Sequence, residues 1–382
     1  MAVTVDPNLL RDIKRYGAFD ISACFHCGNC TAVCPLSEEQ GSFPRKLIRL
    51  GQIGARERIL ESPEPWLCYY CGECSDTCPR QAEPGEYMAA LRRYAIAAHE
   101  PTGVAAWMFK SLGAALLVTF AVAIVLGLFL VGLKPGTDAA AYAREWLFKS
   151  LVPYPVIHAM GIGIFILAAI TVWAGVGAMV RRVLRGTAER PIGRPRFAQV
   201  RSAVGQTAAE IALMRRHREE PGGTDAEKPF LARPSVIHRG IMYGFAGLLA
   251  ATVLDFAFIV LFPLGTTFWP ARIIGVASGV VLLYGVAAAS LRRLRKQDKN
   301  AAHSAFADWW VLGVLGLLGV TGFWLLGVVS FRAGGTLNEV ILLVHAALAM
   351  EFVLLIAFTK MAHVLYRPLA LFVHFLRVSS IE

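Results

Sequence analysis

The sequence predicts a mainly α-helical protein: a polar, helical N-terminal domain followed by a bundle of six membrane-spanning helices. Of the 382 residues, 56% are hydrophobic and only 17% are charged, which is too apolar for an ordinary soluble protein. From Val104 onward, the apolar residues gather into six runs that approach or exceed the ~20 residues needed to cross a bilayer as a helix. All eight cysteines precede these runs, between Cys24 and Cys78.

The charge of the loops orients the six predicted spans, which we place at 104–133, 154–180, 237–262, 272–291, 307–331 and 338–364. Basic residues concentrate after the second, fourth and sixth spans: Arg181, Arg182, Arg185, Arg190, Arg194 and Arg196; Arg292, Arg293, Arg295, Lys296 and Lys299; Arg367 and Arg377. The positive-inside rule therefore puts both termini in the cytoplasm. Topology thus explains the net charge of +11, and no nucleic-acid-binding motif accompanies it.

These boundaries predict four segments. Residues 1–100 form a cytoplasmic domain, 101–180 the first two spans, 181–236 a basic cytoplasmic linker that is helical near 197–217, and 237–382 the last four spans with a cytoplasmic C-terminus. Residues 1–21 carry charges and lack the apolar core of a signal peptide. We therefore expect the cysteines to stay in the reducing cytoplasm, where thiolates bind metals more often than they form disulfides.

The cysteines form two copies of the pattern C-x2-C-x2-C-x3-C-P. In two-cluster ferredoxins, the first three cysteines of such a run bind one [4Fe–4S] cluster and the fourth binds the other cluster. The expected ligands are Cys24, Cys27, Cys30 and Cys78 for cluster 1, and Cys68, Cys71, Cys74 and Cys34 for cluster 2. Zinc sites favour two separated C-x2-C pairs, so this spacing disfavours zinc.

The segment between the two runs predicts helices, because Leu47, Ile48, Ile53 and Ile59 are interspersed with basic residues. The stretches SFPRKLIRLGQIG and WLCYYCGECSDTCP resemble the small iron–sulfur subunit of heterodisulfide reductase and its relatives. The N-terminal domain is therefore expected to be a helical dicluster ferredoxin domain.

Four histidines lie in or at the edge of predicted spans, where they suit haem: His158, His238, His345 and His363. His345 and His363 are 18 residues apart, which is about 27 Å on one face of a continuous helix. From the topology we expect His238 and His363 to hold a cytoplasm-proximal b haem, and His158 and His345 a periplasm-proximal one. Two imidazoles per iron leave no open position, so such haems carry electrons. Alternatively, these histidines are packed or interfacial polar residues.

The fifth and sixth spans, with DWWVLGVLGLLGVTGF and HAALAMEFVLLIAFTKMAHVLYRPLAL, resemble the cytochrome b family of the nitrate reductase gamma subunit and of heterodisulfide reductase. In the gamma subunit, another helix carries two histidine ligands ten residues apart. His238 matches the first of these, but Leu248 occupies the second position. The resemblance implies a bundle of cytochrome b type with one haem b, or with two if His158 substitutes for the missing ligand.

A ferredoxin domain of this type fused to such a cytochrome is similar to the membrane component of the quinone-interacting membrane-bound oxidoreductase complex (the QmoC family), over nearly the whole chain except 181–236. This resemblance implies an electron-transfer subunit of the bacterial inner membrane that links menaquinone to soluble flavin and iron–sulfur subunits. Those subunits are expected to be similar to HdrA, the flavin-binding component of heterodisulfide reductase, and to pass electrons to or from adenylylsulfate reductase in sulfur metabolism. Two alternatives are a membrane subunit of a heterodisulfide- or sulfite-reductase-type complex, and a non-redox membrane anchor for a cluster-bearing docking module.

Further polar and small residues lie inside the spans. Asp255 and Glu351 either relay quinone protons or pair with polar neighbours. The glycines Gly313, Gly316, Gly319 and Gly322 indicate close helix packing, or clearance for a porphyrin or quinone. No nucleotide-binding fingerprint or nucleophile motif occurs in a suitable context, so any substrate reduction is expected to belong to a partner subunit. The direction of electron flow does not follow from the sequence.

Overall fold

A computed structural model describes residues 4–132, 154–186, 195–214, 228–261, 269–297, 301, 303–331 and 335–381. Within these ranges the chain is helical and contains no β-strand. The predicted fold class is confirmed: a helical N-terminal domain precedes six helices that are long and apolar enough to cross a membrane. The predicted loop residues Arg190, Arg194 and Lys299 lie outside the described ranges.

The N-terminal domain consists of short helices around an apolar core. They are α1 (Leu9–Lys14), α2 (Asn29–Ala32), α3 (Leu36–Gln40), α4 (Arg45–Gln52), α5 (Arg56–Leu60), α6 (Glu64–Leu67), α7 (Glu73–Asp76) and α8 (Pro84–His99), with a 3-10 turn at Ile21–Ala23. Leu9, Ile13, Leu47, Ile48 and Leu91 are completely buried in this core. The helices predicted from the apolar residues of the segment between the cysteine runs are α4 and α5.

The membrane part begins with a short helix, α9 (Val104–Lys110), and continues with long apolar helices. These are α10 (Leu112–Gly132), α11 (Tyr154–Gly186), α13 (Pro234–Asp255, continued by a π-helical turn to Leu261), α14 (Trp269–Leu294), α15 (Phe306–Phe331) and α16 (Thr336–Leu354). Large apolar side chains on their outer faces stay exposed, among them Phe120 and Trp173. Such surfaces face lipid and not water, so this is a multi-pass membrane protein.

Two predicted spans are shorter than expected. The first, predicted at 104–133, is divided at Ser111, whose extended backbone (φ −139°, ψ 119°) separates α9 from α10. The sixth, predicted at 338–364, ends as an α-helix at Leu354. A 3-10 turn (Leu355–Phe358), the extended Thr359 (φ −118°, ψ 178°) and a second 3-10 turn (Lys360–Ala362) precede α17 (His363–Ile381). The prediction that His345 and His363 share one helix face is therefore wrong.

The break after α16 coincides with a buried ion pair. The ammonium group of Lys360 contacts Asp308 Oδ1 at the start of α15, and Arg293 Nη1 lies 3.7 Å from the other carboxylate oxygen. Since Asp308 is buried, its charge requires such partners. The hydroxyl of Thr359 accepts a hydrogen bond from the Met361 N–H (3.4 Å), which caps the new turn.

The N-terminal domain packs against one end of the bundle, which we call the module end. Trp66 stacks on Tyr366 of α17 with ring centroids 5.1 Å apart, and the guanidinium of Arg367 lies 4.7 Å from the ring centre of Tyr69. The helix predicted in the linker is α12 (Phe197–Leu213), which packs along α17. Its Glu210 accepts a hydrogen bond from the Tyr69 hydroxyl (2.5 Å). One apolar core therefore joins the N-terminal domain, α11, α12 and α17.

Substitution of Gly285 by alanine is expected to destabilise the bundle, because α13 and α14 are in close contact there. A Cβ atom on Gly285 would lie 2.8 Å from the backbone nitrogen of Ile241 and 3.1 Å from the carbonyl oxygen of Ile237. Backbone atoms cannot move aside as a side chain can, so we expect a loss of about 1–3 kcal/mol, measured as a lower thermal midpoint in detergent. Gly313→Ala is the control, since nothing lies within 4 Å of its Cβ position. Equal midpoints for the two variants would contradict this packing.

Candidate functional site

Both cysteine runs have the same backbone conformation. Gly28 and Gly72, which follow the second cysteine of each run, have φ values of +95° and +97°, in the left-handed region that favours glycine. His26 and Tyr70, which precede the second cysteine, are also left-handed, with φ values of +63° and +58°. The third cysteine then lies on a one-turn helix, α2 or α7, and these two helices are neighbours. The two runs are therefore structural repeats that meet face to face.

The thiols predicted to bind cluster 1 lie close together. Burial raises the pKa of the Cys30 thiol, and the neighbouring thiols of Cys24, Cys27 and Cys78 raise it further. Such electrostatic effects weaken with distance. Cys78 belongs to the second run, so its influence on Cys30 fits the predicted exchange of the fourth ligand between the runs.

The thiols predicted to bind cluster 2 line a cavity of about 300 Å³. Besides Cys34, Cys68, Cys71 and Cys74, its walls include Leu36, Phe43, Tyr69, Tyr70, Gly72 and Met88. Burial raises the pKa of the Cys74 thiol well above its ordinary value, and the thiols of Cys68, Cys71 and Cys34 raise it further. Cys30 acts in the same direction, which shows that the two sets of thiols are adjacent.

Backbone amides donate hydrogen bonds to two of the sulfur atoms. The Tyr70 N–H donates to Cys68 Sγ (3.3 Å) and the Ala82 N–H donates to Cys78 Sγ (3.4 Å). Hydrogen bonds to cysteine sulfur are one of the means by which proteins set the reduction potential of an iron–sulfur cluster. One such bond therefore serves each predicted cluster.

The cysteine arrangement fits two cubane clusters better than single metal ions. Among the residues that the structure describes, no three His, Cys, Asp or Glu side chains are close enough to share one metal ion. In a [4Fe–4S] cluster each cysteine binds a different iron, so the four sulfur atoms are further apart than the ligands of one ion. Four thiols around a cavity, and not in mutual contact, match that requirement.

His238 and His363 are neighbours at the module end of the bundle. Burial lowers the pKa of His363, a hydrogen bond to the Lys360 carbonyl raises it, and the charges of His238, Lys360 and Arg92 lower it, so that the pKa is about 3. The Nδ1 atom of His363 donates that bond over 2.6 Å. A ring held in this way presents Nε2 as the ligand atom. The charge of His238 acts on His363, which is compatible with a shared haem, and the ligand pair stays a prediction.

His158 and His345 lie at one level of the bundle, nearer the opposite end. Ile157 packs in the same small apolar cluster as Leu343 and Ala346, which flank the level of His345. Nδ1 of His345 lies 2.8 Å from the Thr321 hydroxyl, which itself donates to a backbone carbonyl, so the hydroxyl accepts from Nδ1 and leaves Nε2 as the ligand atom. The His158 ring instead stacks on Phe256, with centroids 4.9 Å apart. The pairing of these two histidines stays a prediction.

The glycines of α15 do not share one role. A Cβ atom on Gly319 would lie 2.6 Å from the Leu283 side chain, so this glycine permits close packing of α14 on α15. A Cβ atom on Gly322 would lie 3.3 Å from Cε1 of His345. Gly322 thus leaves room for a candidate haem ligand, whereas Gly319 supports the packing interpretation.

Sequence reasoning missed Arg92, which is hydrogen-bonded to the second cysteine run and whose charge acts on His363. Arg92 Nη2 donates to the Cys68 carbonyl oxygen (2.6 Å) and Nε donates to the Pro65 carbonyl oxygen (3.0 Å). The same guanidinium is one of the charges that act on His363. Arg92 belongs to no cysteine or histidine motif. The signal in the sequence was a pair of arginines, Arg92 and Arg93, inside the largely apolar α8.

Comparisons with known proteins support an iron–sulfur function for the cysteine module. Residues 20–82 match the family model of the 4Fe-4S dicluster domain. The chain is 30% identical over 63 residues to the C-type subunit of the H(2):CoB-CoM heterodisulfide,ferredoxin reductase of Methanothermobacter thermautotrophicus, which is 16% of this chain and 34% of that protein. It is 39% identical over 55 residues to a protein of Archaeoglobus profundus that is named for its likeness to the C-type subunit of heterodisulfide reductase, which is 14% of this chain and 29% of that protein.

The chain thus spans about a third of the length of the curated relatives it matches. No solved structure matches it. The matches and the geometry together support [4Fe–4S] clusters as cofactors of the N-terminal module, which is similar to the C-type subunit of heterodisulfide reductase.

Proposed function

We propose that the chain is the membrane electron-transfer subunit of a quinone-linked oxidoreductase complex. Electrons pass between menaquinone in the bilayer, b haem, the two [4Fe–4S] clusters and soluble flavin and iron–sulfur subunits. The observation that carries the proposal is the position of Arg92, which donates a hydrogen bond to the backbone carbonyl of the predicted cluster ligand Cys68 and is close enough to His363 for its charge to lower the pKa of that histidine. This position supports an arrangement in which a cluster and the proposed haem are near each other at the module end.

The contacts and exposure of the cysteines indicate which cluster lies nearer the membrane part and which lies nearer the soluble partner. Cluster 2 is the one nearer the membrane part, because Cys68 contacts Arg92 and its neighbour Tyr69 contacts Arg367 of α17. On the other side, Cys27 of cluster 1 is exposed, and the adjacent Phe25 is 59% exposed. Cluster 2 therefore exchanges electrons with the haem, and cluster 1 exchanges electrons with the soluble partner.

Each of these groups has a defined role in the chain. The cysteines bind and bury the clusters, while His238 and His363 bind a b haem whose iron is a one-electron centre. The Lys360 carbonyl fixes the ring of His363, and Thr321 fixes the ring of His345. His158 and His345 hold a second haem in this proposal. We place the cluster domain at 1–100, the first spans at 101–180, the linker at 181–236 and the remaining spans at 237–382.

The resemblance to the membrane component of the quinone-interacting complex assigns the soluble partners and the pathway. In that assignment, subunits similar to HdrA of heterodisulfide reductase receive or supply the electrons, and adenylylsulfate reductase is the terminal enzyme. The module end faces the cytoplasm of a bacterium, in agreement with Arg182 and Arg293 lying at the same end as the cysteines.

A membrane subunit of a heterodisulfide-reductase-type complex is the second candidate, because the matched relatives carry that name. Purification of the complex from native membranes, with identification of the soluble subunits by mass spectrometry, separates the two candidates. A non-redox anchor is disfavoured, since it does not require two half-buried histidines that each have Nδ1 hydrogen-bonded and Nε2 available.

The proposal is tested by cofactor analysis and reduction of the purified protein. We expect about eight non-haem irons and eight acid-labile sulfides per chain, a reduced b-type haem spectrum, and reduction of haem and clusters by a menaquinol analogue. The measured haem content also decides whether the replacement by Leu248 leaves one haem or two. A preparation with full cluster content but no haem band would contradict the proposal and favour the anchor.

A further inference from the structure

Glu351 is a buried carboxyl group inside the last membrane-spanning helix. Its residue exposure is 0%, and among the described residues neither Oε1 nor Oε2 has a hydrogen-bond partner. Burial of a carboxyl group without a hydrogen-bond partner destabilises the folded protein. Ionisable residues inside a membrane are rare, and those that occur usually have a function. The group therefore needs an explanation beyond packing.

The other acidic residues of the described spans differ from Glu351. Asp308 is paired with Lys360 and Arg293. Asp255 is close enough to His158 for the two charges to interact. Glu339 lies in the first turn of α16, near the helix end and partly exposed. Glu351 is thus the acidic side chain in these spans whose two oxygens are both buried and unpartnered.

The described residues beside Glu351 on α16 pack against apolar side chains. One turn before it, Ala347 packs with Leu130 of α10 and Ile157 of α11. The next residue, Phe352, packs against Phe245 and Trp310, with ring centroids 5.4 and 6.1 Å away. A ligand that reaches this carboxyl must therefore be soluble in lipid, and it must also offer a hydroxyl or carbonyl group for hydrogen bonding. Quinols and quinones meet both requirements.

The position of Glu351 also suits contact with the redox centres. It lies six residues after His345 on the same helix, a rise of about 9 Å. It precedes the break that separates α16 from His363. The carboxyl group is therefore between the levels of the two predicted haem sites.

We propose that the Glu351 carboxyl group binds a quinol hydroxyl and accepts its proton. The inference rests on the proposed function. During oxidation of the quinol, one hydroxyl O–H bond breaks and an O–H bond forms on the Glu351 carboxylate, while the second hydroxyl proton goes to water. As the quinol becomes quinone, its two electrons would go one at a time to the b haem of the proposed function, which would supply the one-electron acceptor. In the opposite direction, Glu351 supplies the proton.

Two substitutions separate binding from proton transfer. Glu351→Gln keeps shape and hydrogen bonding but cannot accept the proton, so menaquinol-dependent cluster reduction is expected to fall about 100-fold. Its affinity for the fluorescent quinol analogue 2-heptyl-4-hydroxyquinoline N-oxide is expected to stay near wild type. Glu351→Leu removes the hydrogen bond, and the analogue is expected to bind about tenfold more weakly. Glu339→Gln, the same change on the same helix, is the control for both measurements.

Three results would overturn the inference: wild-type reduction rates in Glu351→Gln, unchanged analogue binding in Glu351→Leu, or a haem spectrum altered by Glu351→Gln, which would indicate a role toward the haem. Iron, sulfide and haem contents verify folding of each variant, and Glu351→Gln alone decides the matter if Glu351→Leu does not fold. If wild type and Glu339→Gln bind the analogue but accept no electrons from menaquinol, the proposed function fails. That result is distinct from a defect confined to Glu351.

Discussion

Serine in place of Cys34 is expected to destroy the cluster held by the other cysteine run. Cys34 lines the cavity together with Cys68, Cys71 and Cys74, although it follows Cys30 in the sequence. Loss of one ligand exposes an iron of cluster 2 and leaves all four ligands of cluster 1 in place. Non-haem iron and sulfide should then fall from about eight to about four per chain.

Matched serine variants test whether the two runs exchange their fourth ligand. Cys34→Ser and Cys74→Ser should leave the same remaining cluster and thus the same electron paramagnetic resonance spectrum after reduction. Cys78→Ser and Cys24→Ser should leave the other cluster and a second, different spectrum. If Cys34→Ser instead resembles Cys24→Ser, each run binds its own cluster and the exchange of ligands is wrong.

Alanine in place of His363 is expected to remove the haem nearest the cysteine module. The imidazole is half-buried, its Nδ1 is bonded to the Lys360 carbonyl, and the charge of His238 acts on it, so its loss is expected to remove one axial ligand of the proposed haem. Haem content should fall by about one per chain, with the corresponding loss from the reduced-minus-oxidised spectrum. Menaquinol should then no longer reduce the clusters, although dithionite still does.

The partner and a control histidine complete this experiment. His238→Ala should reproduce the loss of haem seen in His363→Ala, because both remove one axial ligand of the same iron. His303→Ala should keep the haem, since this exposed ring contacts Phe19 of the N-terminal domain and lies outside the spans. A normal haem content in His363→Ala would exclude this ligand pair.

The dicluster domain and the turns of its two cysteine runs were predictable because their pattern is local. Three cysteines within seven residues adopt one turn conformation, and Gly28 and Gly72 supply the left-handed backbone that this turn requires. The length and composition of the apolar runs likewise predicted six spans, because the thickness of a bilayer sets the length of a helix. In both cases the residues that determine the local structure lie within one short stretch of the chain.

The break before His363 was not predictable in this way, because its cause is distant in the sequence. Residues 355–364 are as apolar as the span before them, apart from Lys360, and hydropathy alone continues the helix. The partner of Lys360 is Asp308, 52 residues earlier. The contact of Glu210 with Tyr69 joins residues 141 apart. Pairs at such separations become visible only when the chain is folded.

The location of α17 at the end of the chain decides when the cysteine module can finish folding during synthesis. Trp66 and Tyr69 pack against Tyr366 and Arg367, which leave the ribosome after all six spans. Domains at the N-terminus ordinarily fold first, but this one keeps an apolar face uncovered until the last helix arrives. We therefore expect cluster insertion to be completed late in biogenesis, and chains that stop short of α17 to be inserted into the membrane yet lack stable clusters.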